Sequence, residues 1–271
     1  MTTLTEHLAA YGLRNFSSSG LYLFWARQQL GDRKAQMLDR LRKPLEKDDA
    51  RPDDVLRFYE FIADPEVAAV VHSMKTDAIR ASGAAAWECI KERNTILDFG
   101  CNIGYLATWY ARHGGNAVTG VDISAASIAQ ARQKAALLGV ANVRFLEGDI
   151  RKLLHGERFD AIVDTQTVYT VRKKKPVLAQ LRALLADDGV FVTLPPARTA
   201  EKISAYLELL AQAGLTPRTL EFVYFSALGE PDAYPIITAD KTAAPAPALD
   251  VPGACATMQG NLIRLSGAIL K

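Results

Sequence analysis

Cysteine and histidine are scarce in this chain. Its three cysteines, Cys89, Cys101 and Cys255, are scattered and form no CxxC pair, which excludes a disulfide framework. Four histidines are present (His7, His72, His113 and His155), and no metal centre is expected. Charge of one sign is lacking too. Thirty-two basic against 30 acidic residues leave a net +2, so there is no global electrostatic case for nucleic acid or a membrane surface as partner. No run reaches the ~18 apolar residues of a membrane span, and the opening MTTLTEHLAAYG has no basic segment followed by an apolar core. A reducing cytoplasm is the expected setting. What is there is ordinary: half the 271 residues are apolar, enough for one generous domain or a domain with an accessory segment.

The pattern divides near residue 94. Before it the apolar spacing is helical. Leu21, Phe24, Trp25, Gln28 and Gln29 fall at helical spacing, with Met37, Leu38 and Leu41 after them, and 55–59, 67–74 and 78–90 read as three further helices. Asp64-Pro65 is a cap followed by a first-turn proline. After residue 94, strand and helix alternate. Strands are expected at 96–99, 117–121, 143–146, 159–163 and 190–194, with helices at 105–112, 124–138, 176–185 and 199–213 between and after them. That alternation means parallel strands with right-handed crossovers. Two closing strands, 220–228 and 235–239, are joined by Gly229-Glu230-Pro231-Asp232 and suggest an antiparallel edge. Asp187-Asp188-Gly189 is expected to stop the preceding helix. The division expected is a helical cap over 1–93, a nucleotide-type domain over 94–240, and an Ala/Pro-rich linker with a tail over 241–271, the tail being strand-like or helical.

The richest stretch is TILDFGCNIGYLAT, residues 95–108. A short apolar run ends at Asp98, and Gly100, Asn102 and Gly104 follow at every second position. Small residues there let the backbone turn sharply and approach a ligand closely. Downstream, an acidic residue closes each of the next three strands. Asp122 in VTGVDIS can accept from two ribose hydroxyls, Asp149 in FLEGDI from an adenine amino group beside the backbone of Ile150, and Asp164 in FDAIVDTQ lies where a reacting group would sit. One such aspartate is commonly a helix or turn cap. Asp98 ahead of the glycine turn and three more in order behind it read as a nucleoside pocket.

In these four motifs the chain resembles the class I S-adenosylmethionine-dependent methyltransferases over roughly residues 94–240. The resemblance implies an α/β fold with a Rossmann-like, doubly wound seven-stranded sheet whose last strand is antiparallel. It implies S-adenosylmethionine as cofactor and S-adenosylhomocysteine as product. Asp98, Gly100, Cys101, Asn102 and Gly104 would then hold the methionine and ribose side, Asp122 and Ile123 the ribose side, Asp149 and Ile150 the adenine, and Asp164 and Thr165 would stand near the methyl group. The chain departs from the usual pattern at Asn102, which replaces a third glycine but tolerates a left-handed backbone. A nicotinamide dehydrogenase would need a differently spaced glycine triplet, and Asp98 would repel its pyrophosphate.

Methyl transfer from a sulfonium is an in-line displacement, and alignment with exclusion of water supplies much of the rate. A general base is needed only where the acceptor must lose a proton. His72 and Tyr169 are the candidates, set against packed or solvated alternatives; Lys75, one turn beyond His72, is a candidate for the cofactor carboxylate. No Asp/Asn-Pro-Pro-Tyr text follows the fourth strand, which disfavours base-amino methylation. The run Arg172 to Lys175 reads as a solvated helix start before it reads as an RNA contact. Tyr11, Tyr22 and Trp25 belong to an aromatic N-terminal segment that can fold over the pocket and select a small organic acceptor, or serve as a helical packing layer or a homodimer contact. Transfer to oxygen or nitrogen of a small molecule is the expected reaction. An RNA or protein methyltransferase, and a non-catalytic binding subunit, are the alternatives.

Overall fold

In the computed structural model, residues 2–46 and 51–269 are described. The sheet comprises β1 (Thr95–Phe99), β2 (Ala117–Asp122), β3 (Val143–Glu147), β4 (Phe159–Asp164), β5 (Leu185–Thr193), β6 (Thr216–Ala227) and β7 (Glu230–Asp240). Their order is β3-β2-β1-β4-β5-β7-β6. The first five run parallel, and β7 enters antiparallel between β5 and β6. This is the Rossmann-like sheet with an antiparallel last strand that the motifs imply. Strand order reverses between β1 and β4, so a crevice opens at their carboxyl ends, where such sheets bind ligands.

Around it lie α5 (Thr76–Ile90), α6 (Tyr105–Gly114), α7 (Ala125–Leu137), the one-turn α8 (Thr167–Thr170), α9 (Lys174–Leu184), α10 (Ala200–Gln212) and α11 (Val251–Ile269). Ahead of them come α1 (Leu4–Ala10), α2 (Ser19–Arg42), α3 (Pro52–Ile62) and α4 (Pro65–Ser73). Local chemistry sets several boundaries. Ser124 accepts from the Ser127 N–H to cap α7, and Asp64 accepts from the Glu66 and Val67 N–H groups to cap α4 ahead of Pro65. Gly31, at φ 64° and ψ 169°, breaks α2.

Strand residues alternate between two buried layers. Ile96 shares one core with Ile90, Leu106, Tyr110, Ile128 and Val163. Leu97 and Phe99 share the other with Ile162, Leu178, Leu181, Phe191 and Leu210. Asp98 has the parity of Ile96 and so points into the α5–α6 layer. The N-terminal helices divide between two cores. Leu4, Leu8, Tyr11 and Leu13 of the first segment belong to the same core as Ile96, whereas Tyr22, Ala26, Leu30, Ile62, Val67 and Val70 form a separate cluster of α2, α3 and α4.

Two local expectations are revised. Asp187-Asp188-Gly189 falls inside β5 and not after a helix, because the pairing with β4 jumps from Phe159↔Leu185 to Ala161↔Val190 and accommodates the extra residues as a bulge. The last hairpin closes more tightly than its Gly-Glu-Pro-Asp text suggests. Ala227 pairs with Glu230, and Leu228 and Gly229 turn alone with φ 52° and 95°, a geometry suited to two-residue hairpins. A Cβ on Gly229 would stand 2.2 Å from the Ser17 carbonyl oxygen, so the hairpin tip abuts the start of α2. Of the two forms open to the tail after residue 250, the helical one is found, as α11. Among the described residues no helix is long and apolar enough to cross a membrane.

Because Leu8 is fully buried in the sheet's own core, Leu8→Ala is expected to destabilise the whole chain by about 2–5 kcal/mol. A single cooperative melt shifted downward, followed by circular dichroism, is the result that this packing requires; a melt left in place would show that α1 is detached from the core.

Candidate active site

The turn after β1 is built from three left-handed positions at alternate residues: Gly100 at φ 78°, Asn102 at 51° and Gly104 at 79°. The Gly100 and Cys101 N–H groups both donate to the Val121 carbonyl at 2.8 and 3.1 Å, so the turn hangs from the end of β2. A Cβ on Gly104 would lie 2.7 Å from the Phe145 ring and 2.8 Å from Ala131, while one on Gly100 would run into the Thr167 side chain. Only glycine allows either contact. Cys101 is buried beneath the turn.

Asp122 organises what faces the turn. One carboxylate oxygen accepts from the Asn102 N–H and the other from the Ser124 N–H, each at 2.9 Å. Burial raises its pKa against the restraint of these N–H groups. Beside it Ile123 is 59% exposed, an apolar surface at the rim of the crevice. At the end of β3, Asp149 caps a short 3₁₀ turn over Ile150–Lys152 and pairs with the Arg151 guanidinium, whose Nε donates at 2.9 Å. Arg151 holds its carboxyl below the ordinary carboxylate range. Ile150 turns its side chain inward.

Asp98 and Asp164 are buried at the ends of β1 and β4. Asp164 is fully engaged: it accepts from the Val168 N–H at 2.9 Å, Thr193 Oγ1 at 2.7 Å and the Tyr206 hydroxyl at 3.5 Å. Burial pushes its pKa up to about 6 against those bonds. It thereby anchors the strand-to-α8 turn, in which Thr165 is half-buried and Gln166 is left-handed at φ 74°. Asp98 differs. Its Oδ1 is buried with no hydrogen-bond partner, and burial, then the charges of Asp122 and Asp164, push its pKa up to about 7. An orphaned carboxylate oxygen among carboxylates fits a cationic group. The ammonium of a methionine moiety is such a group, and Asp122 beside the exposed Ile123 fits the adenosine side, so the residues present suit S-adenosylmethionine.

The candidates from the N-terminal part reach the site unequally. His72 on α4 is buried, with Nε2 3.4 Å from Asn102 Nδ2 and its ring edge-on to Tyr105 at 5.5 Å. Tyr11 props the turn by donating from its hydroxyl to the Gly104 carbonyl at 3.3 Å. Tyr22 donates to the Val70 carbonyl at 3.3 Å, and Trp25 packs on Phe16 with Arg14 above it, so both lie within the α2–α4 cluster. Tyr169 packs toward α9 and α11, with the Lys174 ammonium 5.8 Å from its ring centre. Lys75 is exposed, and burial of its surroundings and then Arg198 lower its pKa. Four further participants carry no signal in the sequence: Thr167 against Gly100, Thr193 and Tyr206 on Asp164, and Tyr59 of α3, whose hydroxyl pKa is raised by burial and by the nearby charge of Asp122. No spacing in the text ties Tyr59 to Asp122. A hollow of about 590 Å³ beside Trp109, Arg112 and His113 lies at the far end of α6, and none of the four aspartates lines it.

Comparison with known proteins agrees with this geometry. Residues 90–228 match a family model described as a methyltransferase domain. The chain is 26% identical over 165 residues to a malonyl-[acyl-carrier protein] O-methyltransferase of Paenibacillus sp., covering 56% of this chain and 60% of that one. It is 31% identical over 111 residues to an uncharacterized RNA methyltransferase of Gloeobacter violaceus, covering 41% of this chain and 24% of that one. The chain thus spans a quarter to three fifths of these relatives. Among solved structures, an O-methyltransferase from a trans-AT polyketide synthase multienzyme of Brevibacillus brevis, in complex with S-adenosylhomocysteine, superposes with a TM-score of 0.51 at 19% identity, covering 77% of this chain and 85% of that one.

The raised Asp98 pKa has two consequences of opposite sign. A cationic ligand needs the ionised carboxylate, so affinity for S-adenosylhomocysteine is expected to fall as pH drops below about 7, approaching one proton taken up per ligand released. In the free protein the folded pKa exceeds the usual 3.8, so the contribution of Asp98 to stability is complete below pH 3.8 and lost as pH rises through about 7. Asp98→Asn should therefore melt higher than the parent at pH 8 while losing cofactor affinity. Calorimetry and thermal melts between pH 6 and 8 check both; a lower melt at pH 8, or unchanged affinity, contradicts the assignment.

Proposed function

The chain belongs to the methyltransferase domain family, and we propose that it is an S-adenosylmethionine-dependent methyltransferase that delivers the methyl group to oxygen or nitrogen of a small organic acceptor. The observation that carries this reading is the helical layer laid against the cofactor turn: Tyr59 of α3 beside Asp122 and His72 of α4 against Asn102. Such a layer narrows the mouth to something small and excludes water. A long polymer would need a continuous basic groove instead. The basic run Arg172 to Lys175 supports none: Lys174 folds back to donate to the Val171 carbonyl at 2.9 Å, and its neighbours face solvent. The resemblance to an enzyme that methylates malonyl-[acyl-carrier protein] accords with oxygen as acceptor atom.

In this reading the cofactor supplies an electrophilic methyl group on sulfur. Asp98 holds the ammonium of the methionine end, Gly100 and Gly104 let the backbone close on it, and Asp122 takes the ribose hydroxyls. Asp149 and the backbone of Ile150 stand at the adenine end, where Arg151 must yield part of the carboxylate. Asp164 fixes the turn that carries Thr165 toward the reacting groups. Burial and the nearby Lys75 charge push the His72 pKa down to about 4, a poor match for proton abstraction near neutral pH. The reading therefore assigns His72 to hydrogen bonding and leaves the displacement to alignment. An amine attacks as its free base and sheds a proton to water after the transfer, and an oxygen acceptor reacts in its ionised form.

The homodimer expected through the N-terminal helices has a surface to use, since Leu21, Leu23 and Phe24 on α2 are each more than half exposed. On this proposal the protein sediments as a dimer, and Phe24→Glu sediments as a monomer; identical sedimentation of the two would remove the contact. The acceptor reading is checked by methyl transfer from labelled cofactor to a panel of small hydroxylated and amino compounds, run beside total RNA and ribosomal protein. Transfer to the macromolecules alone would refute a small acceptor. Asp122→Ala is expected to weaken S-adenosylhomocysteine binding by about 1–3 kcal/mol, from unpaired ribose hydroxyls and a loosened turn, and calorimetry showing unchanged affinity would reject the ribose assignment.

A further inference from the structure

Two buried polar atoms with no hydrogen-bond partner, and of opposite character, belong to the wall around the cofactor turn: Asp98 Oδ1 and His72 Nδ1. The character of the second follows from Asn102. Its side-chain oxygen accepts from the Ile103 N–H at 2.7 Å, which fixes the amide so that its NH₂ group is the one 3.4 Å from His72 Nε2. An amide NH₂ can only donate, so Nε2 must be the accepting nitrogen and the ring proton resides on Nδ1. His72 thus carries a buried N–H donor with nothing to receive it, which is unfavourable. Tyr105 links the two orphans. Its ring lies edge-on to His72, and the Asp98 charge is among those that raise its hydroxyl pKa.

The methionine end of S-adenosylmethionine is a zwitterion, with an ammonium and a carboxylate on one carbon. Resting on the proposed seat of that cofactor, we propose that His72, held in its Nδ1–H form by Asn102, donates to the carboxylate of the cofactor while Asp98 receives the ammonium. Each partner removes one orphan, and neither suffices alone. Asn102 thereby does what no glycine could: it tolerates the left-handed turn and also sets the proton of the histidine above it. Both orphans are shielded from water, so ligand entry displaces the side chains that shield them. Lys75, whose charge also reaches His72, is the competing donor.

Nitrogen NMR of the full-length protein without ligand reads the tautomer directly. The Nδ1–H form is expected for His72, and Asn102→Gly, which keeps the backbone free but removes the amide, should let the Nε2–H form appear. Calorimetry then compares S-adenosylhomocysteine with 5′-methylthioadenosine, the same nucleoside lacking the amino-acid end. His72→Ala should weaken the first about tenfold, as for a hydrogen bond to a charged group, and leave the second within about twofold. His72→Asn, whose amide nitrogen falls near the Nδ1 position, should recover most of the loss, and it keeps the test intact should His72→Ala fail to fold. A predominant Nε2–H form in the parent, equal weakening of both nucleosides, or a selective loss in Lys75→Ala in place of His72→Ala would overturn the proposal. Failure of the parent to bind either nucleoside would overturn the cofactor seat itself, and the carboxylate contact with it.

Discussion

The whole cofactor side of the molecule depends on one carboxylate with two backbone partners. Asp122 closes β2 and grips the Asn102 N–H with one oxygen and the Ser124 N–H with the other. The first bond holds the turn after β1 in its left-handed path; the second starts α7. Since Gly100 and Cys101 also hang from the Val121 carbonyl, the end of β2 carries the conformation of a segment that belongs to β1. Two strands that meet only through sheet bonding elsewhere become a single rigid rim here. A ligand that engages Asp122 engages both.

Three aspartates converge on that rim, Asp98 and Asp164 buried and Asp122 half-buried, and the protein resolves the cost of each differently. Asp164 is satisfied within the protein by Val168, Thr193 and Tyr206. Asp122 is satisfied by backbone N–H groups. Asp98 keeps an oxygen unpaired, and burial, then the charges of Asp122 and Asp164, push its pKa up to about 7. Charge that the fold declines to neutralise is thereby concentrated at one atom. Burying a carboxylate this way is unfavourable for the free protein, and a cation that replaces the lost hydration converts that penalty into affinity. The same placement would reject a pyrophosphate.

Much of this was legible in the sequence because it rests on local rules. Glycines at alternate positions behind an apolar run, and aspartates at strand ends, are set by what one strand-to-helix turn needs, and Gly100, Gly104, Asp98 and Asp122 all appear together in the structure. The alternation of strand and helix implied the parallel sheet for the same reason. What was hidden is long-range or internally compensated. Asp164 and Asp149 read as free ligand groups, yet whether a carboxylate is free depends on Thr193, Tyr206 and Arg151, which no short spacing connects to it in a predictive way. The β5 bulge was hidden because Asp187-Asp188-Gly189 is equally good text for a helix stop, and only pairing with β4 decides. Leu21, Phe24 and Trp25 showed helical spacing, yet Leu21 and Phe24 are more than half exposed while Tyr22 is buried. Spacing marks a helix without stating which face packs or against what. The division of the N-terminal helices between two cores lies beyond any periodicity.

That division bears on where specificity resides. On the proposed function, the glycine turn and the acidic rim hold one cofactor. α1 is committed to the sheet core through Leu8 and Tyr11. The α2–α4 cluster has its own interior, and His72 and Tyr59 are side chains that link it to the rim, with Tyr105 facing His72 from the start of α6. A layer packed by itself can be altered in shape without disturbing the sheet, provided that its few contacts with the turn persist. On the proposed function, selection of the acceptor falls to the surface that this layer presents beside the turn after β1 and the end of β2. The Asn102–His72 contact serves a different purpose, because it keeps that adaptable layer in register with a pocket whose shape the cofactor dictates.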